Sequence, residues 1–479
     1  MCPLIEARSG ARLIPALVYA ALSTAIVSSL GMLLVPTISR EMDVTVSTAQ
    51  WMLTINLLVG AVATPVMGRL SDGPHKKRLL LTSLLIILIG SIIAAAAPNF
   101  TVFLIGRALQ GLSYGIVPVT IALARRYVAA EKVQFSISSL SVTVSTGMGI
   151  GYPLTGIIAG LMDFRFAFWF AALFVVTAII VVFRVVPAGP DERAPRIPFD
   201  FRGAGLLGLG LGALLLGVSE GPNWGWSSPS TIGAFILAAI VLTAWVGAEL
   251  RTRHPLVNLR VLRNAEVLLA NGTAAGLGAA MYIGLSISSL VAQAPASTGY
   301  GIALPLFWAG FVMFPLSVGS FSANRLVRRL SRRIRLTALL PMGAGVMASA
   351  GIIIWLAHTE LWEILIGMLV LGVGMGTSYA AMPALIARSV ATAELGSSVS
   401  FNQVLRTVGS SFGTAVAGAV LAADIAPDLH PSGAGISATL GIGAVLCAVV
   451  FIALLVHTFV SRSPRDSDKR PEPRAAGTR

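Results

Sequence analysis

The sequence predicts an all-α membrane protein of about fourteen transmembrane helices, and composition, segment length and charge placement carry that reading. Its 479 residues are 56% hydrophobic and 11% charged, with a mean hydropathy of +0.84. A soluble globule could not coat itself with so little polar surface, so lipid is the solvent. Apolar stretches long enough to cross a hydrocarbon core of about 30 Å recur along the chain between short polar breaks. Strands of a membrane barrel would alternate apolar and polar side chains over about 10 positions. The segment from Leu79 to Ala97 is instead apolar all round.

After a short N-terminal tail, 1–12, six helices are expected near residues 13–36, 47–69, 79–97, 100–124, 134–161 and 166–187, a bundle spanning 13–187. A polar loop, 188–202, leads into a pair near 203–220 and 230–250, that is 203–250, followed by a linker, 251–265. Six further helices fall near 266–292, 301–323, 336–357, 361–387, 397–422 and 434–460, a second bundle over 266–460, before a tail of 461–479.

Charge tests this count independently. With the N-terminus inside, all but four of the 34 Lys and Arg residues fall in segments assigned to the cytoplasmic side. Arg40 and Arg165 fall outside, and Arg107 and Arg406 lie within predicted helices. An odd number of helices would break the alternation, so a multi-pass protein of the cell membrane with both termini cytoplasmic is expected. The net charge of +14 is then a basic inner face beside anionic lipid and calls for no nucleic acid. Arg8 and Arg12 precede an apolar stretch of over about 20 residues with further spans behind it, which reads as an uncleaved first helix. Cys2 in the tail and Cys447 in the last helix are not expected to pair, and no metal site or cofactor is implied.

An internal repeat supports a two-bundle organisation. Leu104-Ile105-Gly106-Arg107 followed by Gly111 and Gly115 matches Leu365-Ile366-Gly367-Met368 followed by Gly372 and Gly376, at a constant offset of 261. The fourth and twelfth helices are thus counterparts. If the seventh and eighth are an inserted pair, the rest is two six-helix bundles and the twelfth is the fourth helix of the second.

These residues resemble a family, the major facilitator superfamily, and within it the fourteen-helix drug:proton antiporter branch. Gly68-Arg69-Leu70-Ser71-Asp72 followed by Lys76-Lys77-Arg78 is similar to that superfamily's G-x-L-x-D loop signature with its basic cluster, although His75 stands where a second Gly is usual. Arg107, Gln110 and Gly111 match the fourth-helix pattern R-x-x-Q-G. Gly147, Gly149, Gly151, Pro153 and Gly156 resemble the Gly/Pro motif of the fifth helix that marks exporters, with Tyr152 offset where a Gly-Pro pair would fall. The resemblance implies a secondary active exporter of drug-like or antibiotic-like small molecules, coupled to protons, that rocks one bundle against the other. It departs from the branch in its first helix, where Val27 occupies the position of a common Asp and no Asp or Glu lies between Leu13 and Arg40.

Physical roles follow for these positions. Asp72 beside Lys76, Lys77 and Arg78 can latch helix ends through ion pairs and a helix N-terminus; a solvated basic loop would explain the cluster but not Gly68 and Asp72 at their spacing. The small residues of the fifth helix allow close approach and bending, and ordinary tight packing predicts them equally well. Arg107 is costly in hydrocarbon, by about 2.5 to 3.5 kcal/mol on insertion scales, and faces either a wet cavity or structural partners. Arg406 either faces the cavity or snorkels to the surface. By family analogy helices one, four, nine and twelve line the cavity, which makes Ser23, Thr24, Arg107, Asn271, Tyr282 and Tyr379 candidate contacts, with Asn56 and Tyr152 nearby. Hydrogen bonding between helices is the alternative for each. Two arginines inside helices and no mid-membrane carboxylate favour neutral, zwitterionic or anionic substrates over cations, unless hydrogen bonds already neutralise Arg107 or aromatic residues bind cations without carboxylates. The rival readings are an importer or uniporter of other metabolites, and a membrane enzyme or sensor. The second finds no nucleophile constellation, phosphate loop or metal cluster to support it. Expected partners are a small-molecule substrate, the proton and membrane lipid.

Overall fold

The computed structural model describes residues 3–44, 46–187, 198–330, 336–391, 394–424 and 431–460. Cys2, the tail 461–479 and most of the loop 188–202 lie outside them. Fourteen helices are long and apolar enough to cross a membrane, and among the described residues no β-strand forms. The first six are α1 (Pro3–Ser29), α2 (Val46–Asp72), α3 (Lys76–Ala95), α4 (Phe100–Tyr127), α5 (Ala130–Leu161) and α6 (Arg165–Val185). Then come α7 (Phe201–Trp224) and α8 (Pro229–Arg251). The last six are α9 (Ala265–Gln293), α10 (Leu306–Val327), α11 (Leu336–Leu356), α12 (Leu361–Ser389), α13 (Leu395–Ala423) and α14 (Gly433–Val460). An even number of crossings puts both chain ends on one side, called here the terminus side.

Two boundaries depart from expectation for local reasons. Helix α1 begins at Pro3 and stops at Ser29, and the chain turns through Met32–Leu34 into a short helix, Val35–Glu41, with Pro36 in its first turn. A Cβ on Gly31 would lie 2.2 Å from Leu53 and 3.1 Å from the Arg107 guanidinium, so the break sits where another helix presses in. Helix α10 starts at Leu306 rather than 301. Residues 302–304 instead return along the end of α9, with Ile302 N donating to Val291 O at 3.0 Å and Leu304 N to Ala292 O at 2.8 Å. Gly299, at φ +78°, makes the left-handed turn, and Pro305 disfavours helix before it.

The repeat proves to be one of packing. Cβ atoms on Gly111 and Gly115 of α4 would lie 2.7 Å from Asn56 O and 2.2 Å from Met67 Sδ, both on α2. On α12, Cβ atoms at Gly372 and Gly376 would lie 2.2 Å from Leu316 O and 2.7 Å from Ser320 O, both on α10. In each bundle, glycines of the fourth helix therefore let the second helix approach closely, against backbone at Gly111, Gly372 and Gly376 and against the Met67 side chain at Gly115. The bundles meet along two lines, α2 against α13 and α5 against α10 and α12.

The pair α7–α8 packs beside the first of these lines. Thr54 and Ser219 hydroxyls bond at 2.7 Å, and Trp245 lies 6.3 Å from Phe401, ring to ring. A satellite apolar cluster joins Ala61 of α2, Leu207, Leu211 and Leu215 of α7, Trp245 of α8, Leu256 and Val257 of the linker and Val404 of α13. Asn258, also in the linker, donates to Glu394 beside the start of α13 at 2.9 Å. The indole of Trp245 donates to buried Glu249 at 2.9 Å, satisfying one carboxylate oxygen.

Candidate functional site

Two sites emerge at the meeting of the bundles. The first is at the end of α2. Asp72 is buried, and its Oδ1 accepts from Gly396 N at 2.6 Å while Oδ2 accepts from Ser397 N at 3.0 Å. Those are unpaired amides of the first turn of α13, where a carboxylate is stabilised by both hydrogen bonding and the helix dipole. Gly68, one turn earlier, lets the helices touch: a Cβ there would sit 2.2 Å from Ser400 Oγ and 2.7 Å from Gly396 O. Arg125, at the end of α4, donates to Val390 O at 3.3 Å, and Ser138 of α5 to Ala380 O at 3.1 Å. All four contacts cross between bundles on the terminus side.

The basic cluster does not share in this arrangement as expected. Among the described residues Asp72 has no ion pair within 4.0 Å. Lys77 Nζ instead caps the end of α6, donating to Phe183 O at 2.8 Å and Val186 O at 2.6 Å, the carbonyls left open by a helix C-terminus. Lys76 donates to Gly73 O at 2.7 Å within its own loop, and Arg78 is exposed. Gly396 and Ser397, which receive Asp72, were not singled out in sequence, because a helix start offers no motif that names its distant partner.

The second site surrounds the middle of the molecule. A cavity of about 20 Å³ is lined by Leu57 of α2, Tyr114 of α4, Val144 of α5, Met281 and Tyr282 of α9, Tyr379 of α12, and Gln403, Arg406, Thr407 and Ser410 of α13. That volume is on the scale of one water, so the structure is nearly closed around it. Gln403 Nε2 donates across the seam to Tyr114 O at 2.5 Å, and its buried Oε1 has no hydrogen-bond partner. Arg406 lies over the Tyr379 ring at 4.2 Å, and among the described residues its guanidinium has neither an acceptor nor a carboxylate. Positions 403, 407 and 410 share a face of α13 by helical spacing, a signal present in the sequence.

Arg107 is placed otherwise. It is fully buried, with Nε donating to Met52 O at 3.2 Å and Nη1 to Val27 O at 3.4 Å and Gln110 Oε1 at 2.7 Å. Gln110 Nε2 in turn donates to Ser91 Oγ at 2.9 Å, and Asn56 Nδ2 to Arg107 O at 3.0 Å. This network binds α1, α2, α3 and α4 into one unit and does not line the cavity.

Of the other expected contacts, Tyr282 and Tyr379 line the cavity and the rest do not. Ser23 bonds Ala20 O of its own helix, Thr24 donates to Ser113 O at 2.6 Å, and Asn271 accepts from Asn402 at 3.1 Å. Tyr152 is buried on α5, its carbonyl 2.8 Å from where a Cβ on Gly310 would be. Helix α1 gives the cavity no lining residue, whereas α2, α5 and α13 do.

Along α5 the small residues divide between two neighbours. Gly147 and Gly151 face Ala25 and Ser29 of α1, while Gly149 faces Ser317, and Gly156 and Pro153 face Gly310, all of α10. The helix is thus thin on both sides where it separates the bundles. A larger groove of about 760 Å³ lies among Ile283, Trp355, Phe412, Val445 and neighbours, wholly within the second bundle and almost without polar groups, so it is not the candidate site.

Comparison with known proteins agrees with this architecture. The chain is 28% identical over 403 residues to the multidrug resistance protein Stp of Mycobacterium tuberculosis, covering 83% of this chain and 73% of that one. It is 29% identical over 317 residues to the lincomycin resistance protein of Streptomyces lincolnensis, 66% of this chain and 63% of the relative. Among solved structures, the human organic anion transporter MFSD10 (TETRAN) superposes with a TM-score of 0.66 at 17% identity, over 95% of this chain and 100% of that one, a likeness of fold. The sequence profile of the Major Facilitator Superfamily matches residues 16–414, and the chain belongs to that superfamily of membrane transporters.

Proposed function

We propose that this chain is a secondary active exporter of drug-like or antibiotic-like small molecules, coupled to protons, that alternates access by rocking the bundle of α1–α6 against that of α9–α14. The observation that carries the reading is the buried Asp72 carboxylate on the amides of Gly396 and Ser397, a contact between bundles confined to one side of the membrane. Such a contact holds that side shut and must be lost for it to open, as a two-state switch requires. The small residues of α5, the near-closed central cavity and relatives named for multidrug and lincomycin resistance support the same reading. The basic segments of the terminus side support placing it in the cytoplasm of a cell-membrane protein. Proton coupling rests on the branch resemblance, with Val27 where the common acid would be.

Purified protein in proteoliposomes, with lincomycin and a panel of antibiotics inside or outside and a pH gradient imposed in either sense, tests the reading. Accumulation driven against the substrate gradient by an opposing proton gradient is expected. Transport unaffected by collapse of that gradient would remove coupling, and absence of movement for every compound would remove the exporter reading.

A further inference from the structure

We propose that the central cavity selects compounds carrying an oxyanion, a carboxylate above all, on a planar aromatic body, and that Arg406 is the residue that binds the anion. The inference rests on this cavity being the transport site.

Arg406 is a guanidinium inside a membrane-spanning helix whose only close partner among the described residues is an aromatic face, 4.2 Å away. A ring face attracts the cation but accepts no hydrogen bond, so the edge donors of the fork stay free. Charge in a membrane interior is ordinarily paired or faces a wet cavity, and Arg406 lines the cavity. Arg107 shows what a structural arginine looks like in this chain, with its donors on Val27 O, Met52 O and Gln110 Oε1. Among the described residues, no Asp or Glu lines the cavity, so no carboxylate there would pair with a cation. The fork of a guanidinium matches a carboxylate with two parallel hydrogen bonds.

The remaining lining completes the description of the ligand. Tyr114, Tyr282 and Tyr379 offer rings for a planar body. Gln403 Oε1, buried and without a partner, is an acceptor awaiting a hydroxyl or N–H of the ligand. The present volume of about 20 Å³ admits no such compound, so binding takes place in a more open arrangement of the bundles.

Two xanthene dyes of similar shape and opposite charge, fluorescein and rhodamine 123, provide the test. Fluorescence anisotropy with the full-length protein in nanodiscs of zwitterionic lipid should show fluorescein binding about tenfold tighter than rhodamine 123. The preference should fall to within about twofold in Arg406→Gln and survive in part in Arg406→Lys, with both variants monodisperse on size exclusion. Equal or tighter binding of rhodamine 123, no binding of fluorescein, or a preference unchanged in Arg406→Gln would overturn the proposal. A Gln variant that fails to fold leaves Arg406→Lys decisive, because a point charge without the fork should weaken fluorescein and leave rhodamine 123 unchanged. Export of neutral or cationic antibiotics by a protein that ignores fluorescein would retain the exporter reading while removing the anion preference.

Discussion

The guanidinium of Arg107 is ringed by carbonyl and amide oxygens, whereas that of Arg406 meets the face of Tyr379 and the small central cavity. Both sit inside membrane-spanning helices, one in each bundle. The first bundle tolerates its charge because α1 ends at Ser29, which leaves the carbonyls of its last turn without helical partners and presents Val27 O at the negative end of the helix dipole. The second bundle tolerates its charge by keeping it within reach of a polar pocket. At the position equivalent to Arg107 the second bundle has Met368, fully buried, so the repeat preserves packing and not charge. An arginine in a membrane therefore announces function only when its donors are unspent.

The contrast is most easily broken by Arg107→Ala set against Arg406→Ala. The first empties a buried volume and strands several polar groups, and should destabilise the folded protein by about 3–5 kcal/mol, read as loss of thermal stability in detergent. The second should cost about 1 kcal/mol or less, since a partly accessible side chain with no hydrogen bonds is removed. Equal losses would mean that Arg406 is also a structural residue.

A second comparison sets the Asp72 contact against the rest of the seam. Gly68→Ala places a methyl against Ser400 and the Gly396 carbonyl, and should disfavour closure of the terminus side by about 1–3 kcal/mol. Thiol labelling of Ser398→Cys, introduced at the buried start of α13, should rise accordingly; unchanged labelling would show that the contact is not what shuts that side. Asp72→Asn retains one acceptor and loses the charge, for about 1.5 kcal/mol, so transport should drop about tenfold with insertion intact. The smallest effect is expected from Asn258→Ala, which cuts the linker from Glu394 for about 0.5–1.5 kcal/mol and should shift the same labelling only slightly.

Most of the fold was legible because lipid imposes it. Span length and the placement of Lys and Arg are one-dimensional signals, and they fixed fourteen helices without reference to contacts. The repeat glycines were legible for the same reason, as a spacing. The site was legible in part: a motif named Gly68 and Asp72, and the sequence also named Tyr282, Tyr379 and Arg406, which line the cavity. Ser23, Thr24, Asn56 and Asn271 looked like cavity residues because a hydroxyl or amide in a helix reads the same whether it faces a ligand or the next helix. Ser23 bonds Ala20 O of its own helix, and the partners of the other three, Ser113 O, Arg107 O and Asn402, are visible only once the helices are packed. Gln403 and Ser410 were missed although they lie one turn to either side of Arg406, because the family analogy directed attention to helices one, four, nine and twelve.

The position of α7 bears on how a solute dissolved in the bilayer could reach the middle of the protein. The helix touches α2 and α13 together, through Thr54 at one contact and a Pro222–Gly418 approach at another, and α8 stands outside it. That flank of the seam is therefore roofed by two helices, while among the described residues the flank formed by α5 and α10 carries no such cover. A hydrophobic compound diffusing sideways out of the lipid meets an asymmetric wall. The pair α7–α8 in this way makes a nearly two-fold repeat one-sided toward the membrane.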